Sequence, residues 1–78
     1  MNETARELIE RIINAKKALD AYQIMSEVFS KMDENKLNHD EAELIYKLAD
    51  DKEQMLSKQE YTLRTLENAV RIIKDVKY

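Results

Sequence analysis

His39 is the single histidine of the sequence, and Glu43 follows it four residues later. On a helix that spacing places both side chains on one face, as a metal pair requires. A transition-metal site ordinarily takes three or four ligands, so one imidazole and one carboxylate point instead to an exposed His near a helix start. The stretch Asp33 to Leu44 has the outline of an EF-hand loop, with Asp33 and Asn35 at its first and third positions. Leu37 offers no oxygen at the fifth position, Asn38 replaces the glycine of the sixth, and Leu44 stands where a bidentate Glu belongs. The carboxylate pairs Asp40/Glu41 and Asp50/Asp51 are adjacent in sequence, so on a helix their members point about 100° apart. There is no cysteine, and Ser26, Ser30 and Ser57 lie in no nucleophile motif. Arg6, Arg11, Arg64 and Arg71 fall off the apolar stripes, so no inward-facing cations are on hand for an anionic substrate. We expect no catalytic residue, no cofactor and no metal.

What remains is a question of which elements these 78 residues build. The chain contains no Gly, Pro, Cys or Trp. Ordinary usage, about 7% Gly and about 5% Pro, would supply roughly five and four of them. A sheet protein this small needs tight turns that draw on those residues, whereas a helical one needs few. The expected fold class is all-α, a small antiparallel helical bundle in one domain spanning 1–78. Zero cysteine removes the disulfide and thiolate-metal staples of small domains and fits a cytoplasmic setting. The charged N-terminus and the absence of any apolar run beyond three residues predict neither a signal peptide nor a membrane span. With 13 basic and 16 acidic residues the formal charge is −3, which disfavours direct binding to nucleic acid.

Thr4 and Glu7 have the S/T-x-x-E form of a capping box, and helical spacing follows through Ala5, Leu8, Ile12, Ala15, Leu19, Tyr22 and Phe29. A second stripe, Ile9, Ile13, Met25, Val28 and Met32, runs beside it. The pattern predicts one helix over 4–32, with any bend near Asp20, and a loop over 33–38. Asn38 and Glu41 then form another capping box. From there a 3–4 rhythm runs Ala42, Ile45, Ala49, Lys52, Leu56, Gln59, Leu63, Leu66, Val70, Ile73, with Lys52 and Gln59 unsuited to a core.

Residues 39–77 therefore read as helical in one of two ways. Either capping-box sequences at Asp50–Glu53 and Ser57–Glu60 mark a break between 50 and 57, giving three helices, or one long arm forms a two-helix hairpin. The long arm would overhang its neighbour by some ten residues, which a second copy would have to cover, so a homodimer enters as a possible assembly.

Charge is uneven along the chain. Residues 1–32 are neutral overall, 33–57 carry eight acids and three bases, and 58–78 three acids and five bases. Acids gather at helix starts for dipole reasons alone. The functional reading of Asp40, Glu43, Asp50 and Asp51 is an acidic docking patch. It leads to an alternative function, an acidic regulator or phage-type inhibitor that competes with nucleic acid for a host protein. Tyr46, Tyr61 and Tyr78 lie off the main stripe and suit adaptable contacts.

The last helix is apolar over nearly half its circumference, and Tyr61, Leu63, Leu66, Val70, Ile73 and Val76 are its candidate partner-binding residues. Its segment Leu66–Ile73 is similar to the last helix of the small YscE/SsaE co-chaperones of type III secretion. That likeness implies a helical protein that keeps another protein soluble. Leu37–Glu41 with Tyr46–Asp50 resembles part of the Hha/YmoA nucleoid-associated modulators, whose aromatic C-terminal segment has no counterpart here. The expected function is a non-enzymatic protein–protein interaction module, an adaptor, co-chaperone or inhibitor. A structural homo-oligomer is the further alternative.

Overall fold

The computed structural model describes residues 2–75. They form three helices and no strand: α1, Glu3–Asn14, α2, Ala18–Asp33, and α3, His39–Asp75. The all-α bundle is thus as the composition predicts, but its breaks fall elsewhere. The expected helix over 4–32 is two helices, separated at Ala15–Lys17. Residues 50–57 hold no break, and α3 runs unbroken through 37 residues.

Asn2, and not Thr4, caps α1. Its Oδ1 accepts the Ala5 amide at 2.8 Å, while its Nδ2 donates to the Lys36 carbonyl at 3.0 Å and to Glu41 Oε1 at 3.2 Å. One short side chain thereby caps α1 and ties it to the loop before α3. The same Glu41 oxygen accepts the Asn38 amide (3.1 Å), and Asn38 Oδ1 accepts the Glu41 amide (2.8 Å), which completes the second capping box.

The α2–α3 turn manages without glycine. Asn35 sits at φ 60°, the left-handed region. Its amide donates to the Met32 carbonyl, and the Lys36 amide to that of Lys31, both at 2.9 Å. That is a Schellman closure with Asn in the place Gly usually takes. Asn35→Ala keeps the Cβ strain of the left-handed region but loses the short polar side chain whose local hydrogen bonding offsets it, so a loss of about 1 kcal/mol in urea denaturation is expected. An unchanged midpoint would show that this turn stores no such preference.

At Ala15–Lys17 the backbone turns extended (ψ 130° at Ala15, 145° at Lys17) although no residue there is a helix breaker. The reversal is satisfied from α3. Lys52 Nζ donates to the Ile13 carbonyl at 3.2 Å, and Glu60 Oε1 accepts the Ala18 amide at 2.8 Å. Lys17, the residue preceding α2, supplies no side-chain cap, so Glu60 does so from across the bundle. Lys52, out of place in an apolar row, is there for this contact.

The acids at 50–57, read as possible helix starts, bond along α3 instead. Gln54 Nε2 donates to Asp50 (3.2 Å), and Ser57 Oγ to Glu53 (2.8 Å), both across one helical turn. With their partners supplied within the helix, they give the backbone no reason to open.

Because the chain reverses at 15–17, the phase of the first apolar stripe does not carry through. Ala5, Leu8 and Ile12 of α1 and Ala21, Ile24 and Val28 of α2 are buried, while Leu19, Tyr22 and Phe29 are exposed. Ala5, Leu8, Ile12, Ile24 and Val28 pack with Leu37, Ala42, Ile45 and Ala49 into one core. No polar or charged side chain is buried among the described residues. α2 runs antiparallel to both α1 and α3, and Phe29 meets Tyr46 edge to face across the α2–α3 rim, with ring centroids 5.5 Å apart.

The molecule measures 65 × 17 × 14 Å, and its radius of gyration is 17.6 Å. A globular chain of this length would have about 11.5 Å. The difference is α3, about 55 Å long at 1.5 Å per residue, against about 24 Å for α2. No helix among the described residues is long and apolar enough to cross a membrane.

Candidate protein-binding face

The 3–4 row of α3 divides into two halves of equal rhythm and opposite environment. Ala42, Ile45, Ala49 and Leu56 are buried under α1 and α2. Beyond the Glu60–Ala18 contact, where α2 begins, Lys16, Lys17 and Leu19 come beside Leu63 and Glu67 without burying them. Every residue from Lys58 to Lys74 is exposed, and Leu63, Leu66, Val70 and Ile73 show 49–70% of their surface. This overhang extends about 22 Å past Glu60.

A strict seven-residue repeat drifts about 20° per heptad on a straight helix, so from Ala42 to Val70 the row turns by about 80°. Leu63, Leu66, Val70 and Ile73 thus share one arc of about 80°, rotated from the side that meets the bundle. Thr62 and Ala69 border it on one edge, Glu67 and Lys74 on the other. Of the six expected binding residues, these four come together. Tyr61 does not join them: at 100° per residue it lies about 180° from Val70, on the far side of the helix. Val76 lies outside the described residues, as does Tyr78.

The residues of the expected acidic patch share one arc of α3, which also holds a cation. Asp40, Glu43, Asp50 and Asp51 fall within about 100° of the α3 circumference, on the side opposite the buried Ala42, Ile45 and Ala49. Lys47 stands in the middle of that arc. Such an arrangement is the solvated face of a packed helix. His39, Asp40 and Glu43 bring three possible ligand atoms within 4.8 Å of one another, all solvent-exposed. His39 Nδ1 lies 3.9 Å from Glu43 Oε2. Among the described residues, no further His or carboxylate joins this cluster.

Among the described residues two titratable groups have shifted pKa values, and they serve each other. Arg11 forms a two-pronged pair with Glu27, Nη1 to Oε1 at 2.9 Å, bridging α1 to α2. The hydrogen bond from Arg11 holds the Glu27 carboxyl below its usual range, and the bond to Glu27 raises Arg11. The pair lies beside a shallow open depression of about 520 Å³, lined by Glu7, Glu10 and Asn14 among others. Because each group answers the other, neither is left poised for proton transfer.

These features define an all-α protein of three helices whose longest helix carries an uncovered apolar seam. No family model, curated protein or solved structure matches the chain. The local likenesses to the secretion co-chaperones and the nucleoid modulators therefore carry no argument further.

Proposed function

We propose that the chain is a non-enzymatic protein–protein interaction module whose α3 overhang receives a helix of a partner in a cytoplasmic setting. The observation that carries this reading is the continuity of the 3–4 row. One rhythm specifies helix packing over its whole length, yet the bundle uses only the first half. An apolar row of this kind left in water is an interaction surface by default. Adaptor, co-chaperone and inhibitor are roles such a face serves.

The competing reading, an acidic mimic of a nucleic-acid backbone, is disfavoured by Lys47, which stands within the arc and interrupts its negative charge. The two readings separate in one capture experiment with the immobilised chain against an extract of its source cells. Leu66→Asp and Ile73→Asp are expected to reduce retention of the partner at least 100-fold, with modest salt dependence. Neutralising Asp40, Glu43, Asp50 and Asp51 together is expected to change it less than threefold. The reverse pattern, with steep weakening by salt, would transfer the function to the acidic arc.

A further inference from the structure

We infer that the overhang of α3 is covered by the overhang of a second copy of this chain, running antiparallel to it. This inference rests on the reading that the Leu63–Ile73 row is the interaction face, and it names the occupant. The seam is continuous with one already in use. Ala42, Ile45, Ala49 and Leu56 pack on helices of the same chain, and the identical spacing then continues exposed. The cover ends at Glu60, whose carboxylate holds the start of α2. The free length past it is about 15 residues, which is short for a helix with no tertiary support in water.

The spacing of the row is self-complementary when reversed. With Asn68 level with the two-fold axis, Leu63 of one copy faces Ile73 of the other and Leu66 faces Val70. The same two pairs repeat on the far side of the axis, giving four apolar layers from two identical patches. The flanks fit this direction too. Glu60 of one copy comes opposite Lys74 of the other, twice, and Ala69 meets its own copy with no bulk between the helices. Glu67 also meets its own copy, a single like-charge contact. In a parallel pair the acidic flank would face Thr62 and Ala69, and no opposite charges would meet. Antiparallel docking also places the two α1–α2 units at opposite ends of the paired overhangs, with Lys16 and Lys17 of each beside its own Leu63. A two-fold pairing closes on itself and leaves no further face to propagate.

Four layers make a small interface, so the dimer should form with rising concentration. Sedimentation velocity of the full chain from 1 to 500 µM is expected to show the mass doubling, whereas Leu66→Asp remains monomeric with unchanged far-ultraviolet dichroism at low concentration. The chain has no cysteine, so single-cysteine variants report direction. A mixture of Leu63→Cys and Ile73→Cys chains under oxidised glutathione should link one to the other. Leu63→Cys alone should not, because its two copies sit ten residues apart, about 15 Å, beyond disulfide reach. A wild-type chain that stays monomeric throughout, or Leu63→Cys linking to itself, overturns the inference and leaves the capture experiment to judge the face. A dimer untouched by Leu66→Asp overturns the inference and the face together.

Discussion

Ile45→Ala is expected to cost about 3 kcal/mol, the largest loss from any single truncation of the bundle. Ile45 is 0% exposed and packs where α3 meets both other helices. Removing buried carbons from such a site forfeits their transfer free energy and leaves a cavity, typically 2–5 kcal/mol for Ile→Ala. The neighbours are poorly placed to fill it. Its neighbours on the same row, Ala42 and Ala49, carry short side chains that cannot swing into the gap.

 Ala42 and Ala49, one turn to either side, are both fully covered already. A chain of this size has a total stability of roughly 4–12 kcal/mol, so the variant sits near the edge of folding, with a midpoint some 12–24 °C lower. The comparison that gives the number meaning is Ile72→Ala. Ile72 is 66% exposed and lies off the apolar row, so the same chemical change there should stay within about 0.5 kcal/mol. Both should be measured by thermal and urea unfolding at one low protein concentration, because self-association would otherwise enter the result. Equal losses for the two variants would mean that the packing of α3 on α1 and α2 is not what holds the molecule together.

The contrast between those two isoleucines also shows what a sequence can and cannot disclose. The absence of Gly and Pro, together with the 3–4 row from Ala42 to Ile73, is sufficient for an all-α bundle and for one long amphipathic helix. The row does not say which half of itself is covered, since Ile45 and Ile73 stand in equivalent positions of the repeat. Coverage depends on where α1 and α2 end, and that depends on the reversal at Ala15–Lys17. Local propensity hides this reversal, because Ala and Lys are good helix formers and no Gly or Pro marks the place.

A signal was nevertheless present in the phases. On one straight helix, the row Ala5, Leu8, Ile12 and the row Ala21, Ile24, Val28 would lie nearly half a turn apart. Taken as a single helix they suggest a wide apolar face. Taken as two antiparallel helices, both rows face one core. The acidic arc shows the converse difficulty, since the charge of a segment does not disclose that Lys47 shares a face with Asp40 and Asp51. Tyr61 is close to Leu63 and Leu66 in sequence, but the helix places it on the other side.

The reversal itself yields the second large effect. Replacing Lys52 and Glu60 together by Ala is expected to cost about 2 kcal/mol, about 1 kcal/mol from each. The turn at 15–17 leaves the last carbonyls of α1 and the first amides of α2 without helical partners. Lys52 answers the Ile13 carbonyl and Glu60 the Ala18 amide. Loss of a capping side chain typically costs about 1 kcal/mol, and the two contacts lie eight residues, about 12 Å, apart on α3, so their effects should add. Two conservative variants separate capping from packing. Glu60→Gln retains an acceptor oxygen and should recover most of the Glu60→Ala loss, whereas Lys52→Met retains the alkyl stem and should not recover the donor. Hydrogen exchange at the Ala18 amide is the direct readout, expected to quicken in Glu60→Ala and to stay slow in Lys52→Met. If Glu60→Gln proves as damaging as Glu60→Ala, or the double variant falls within 0.5 kcal/mol of wild type, α3 does not hold the reversal. In that case the coincidence of the cover's edge with Glu60, on which the exposed seam depends, would need another cause.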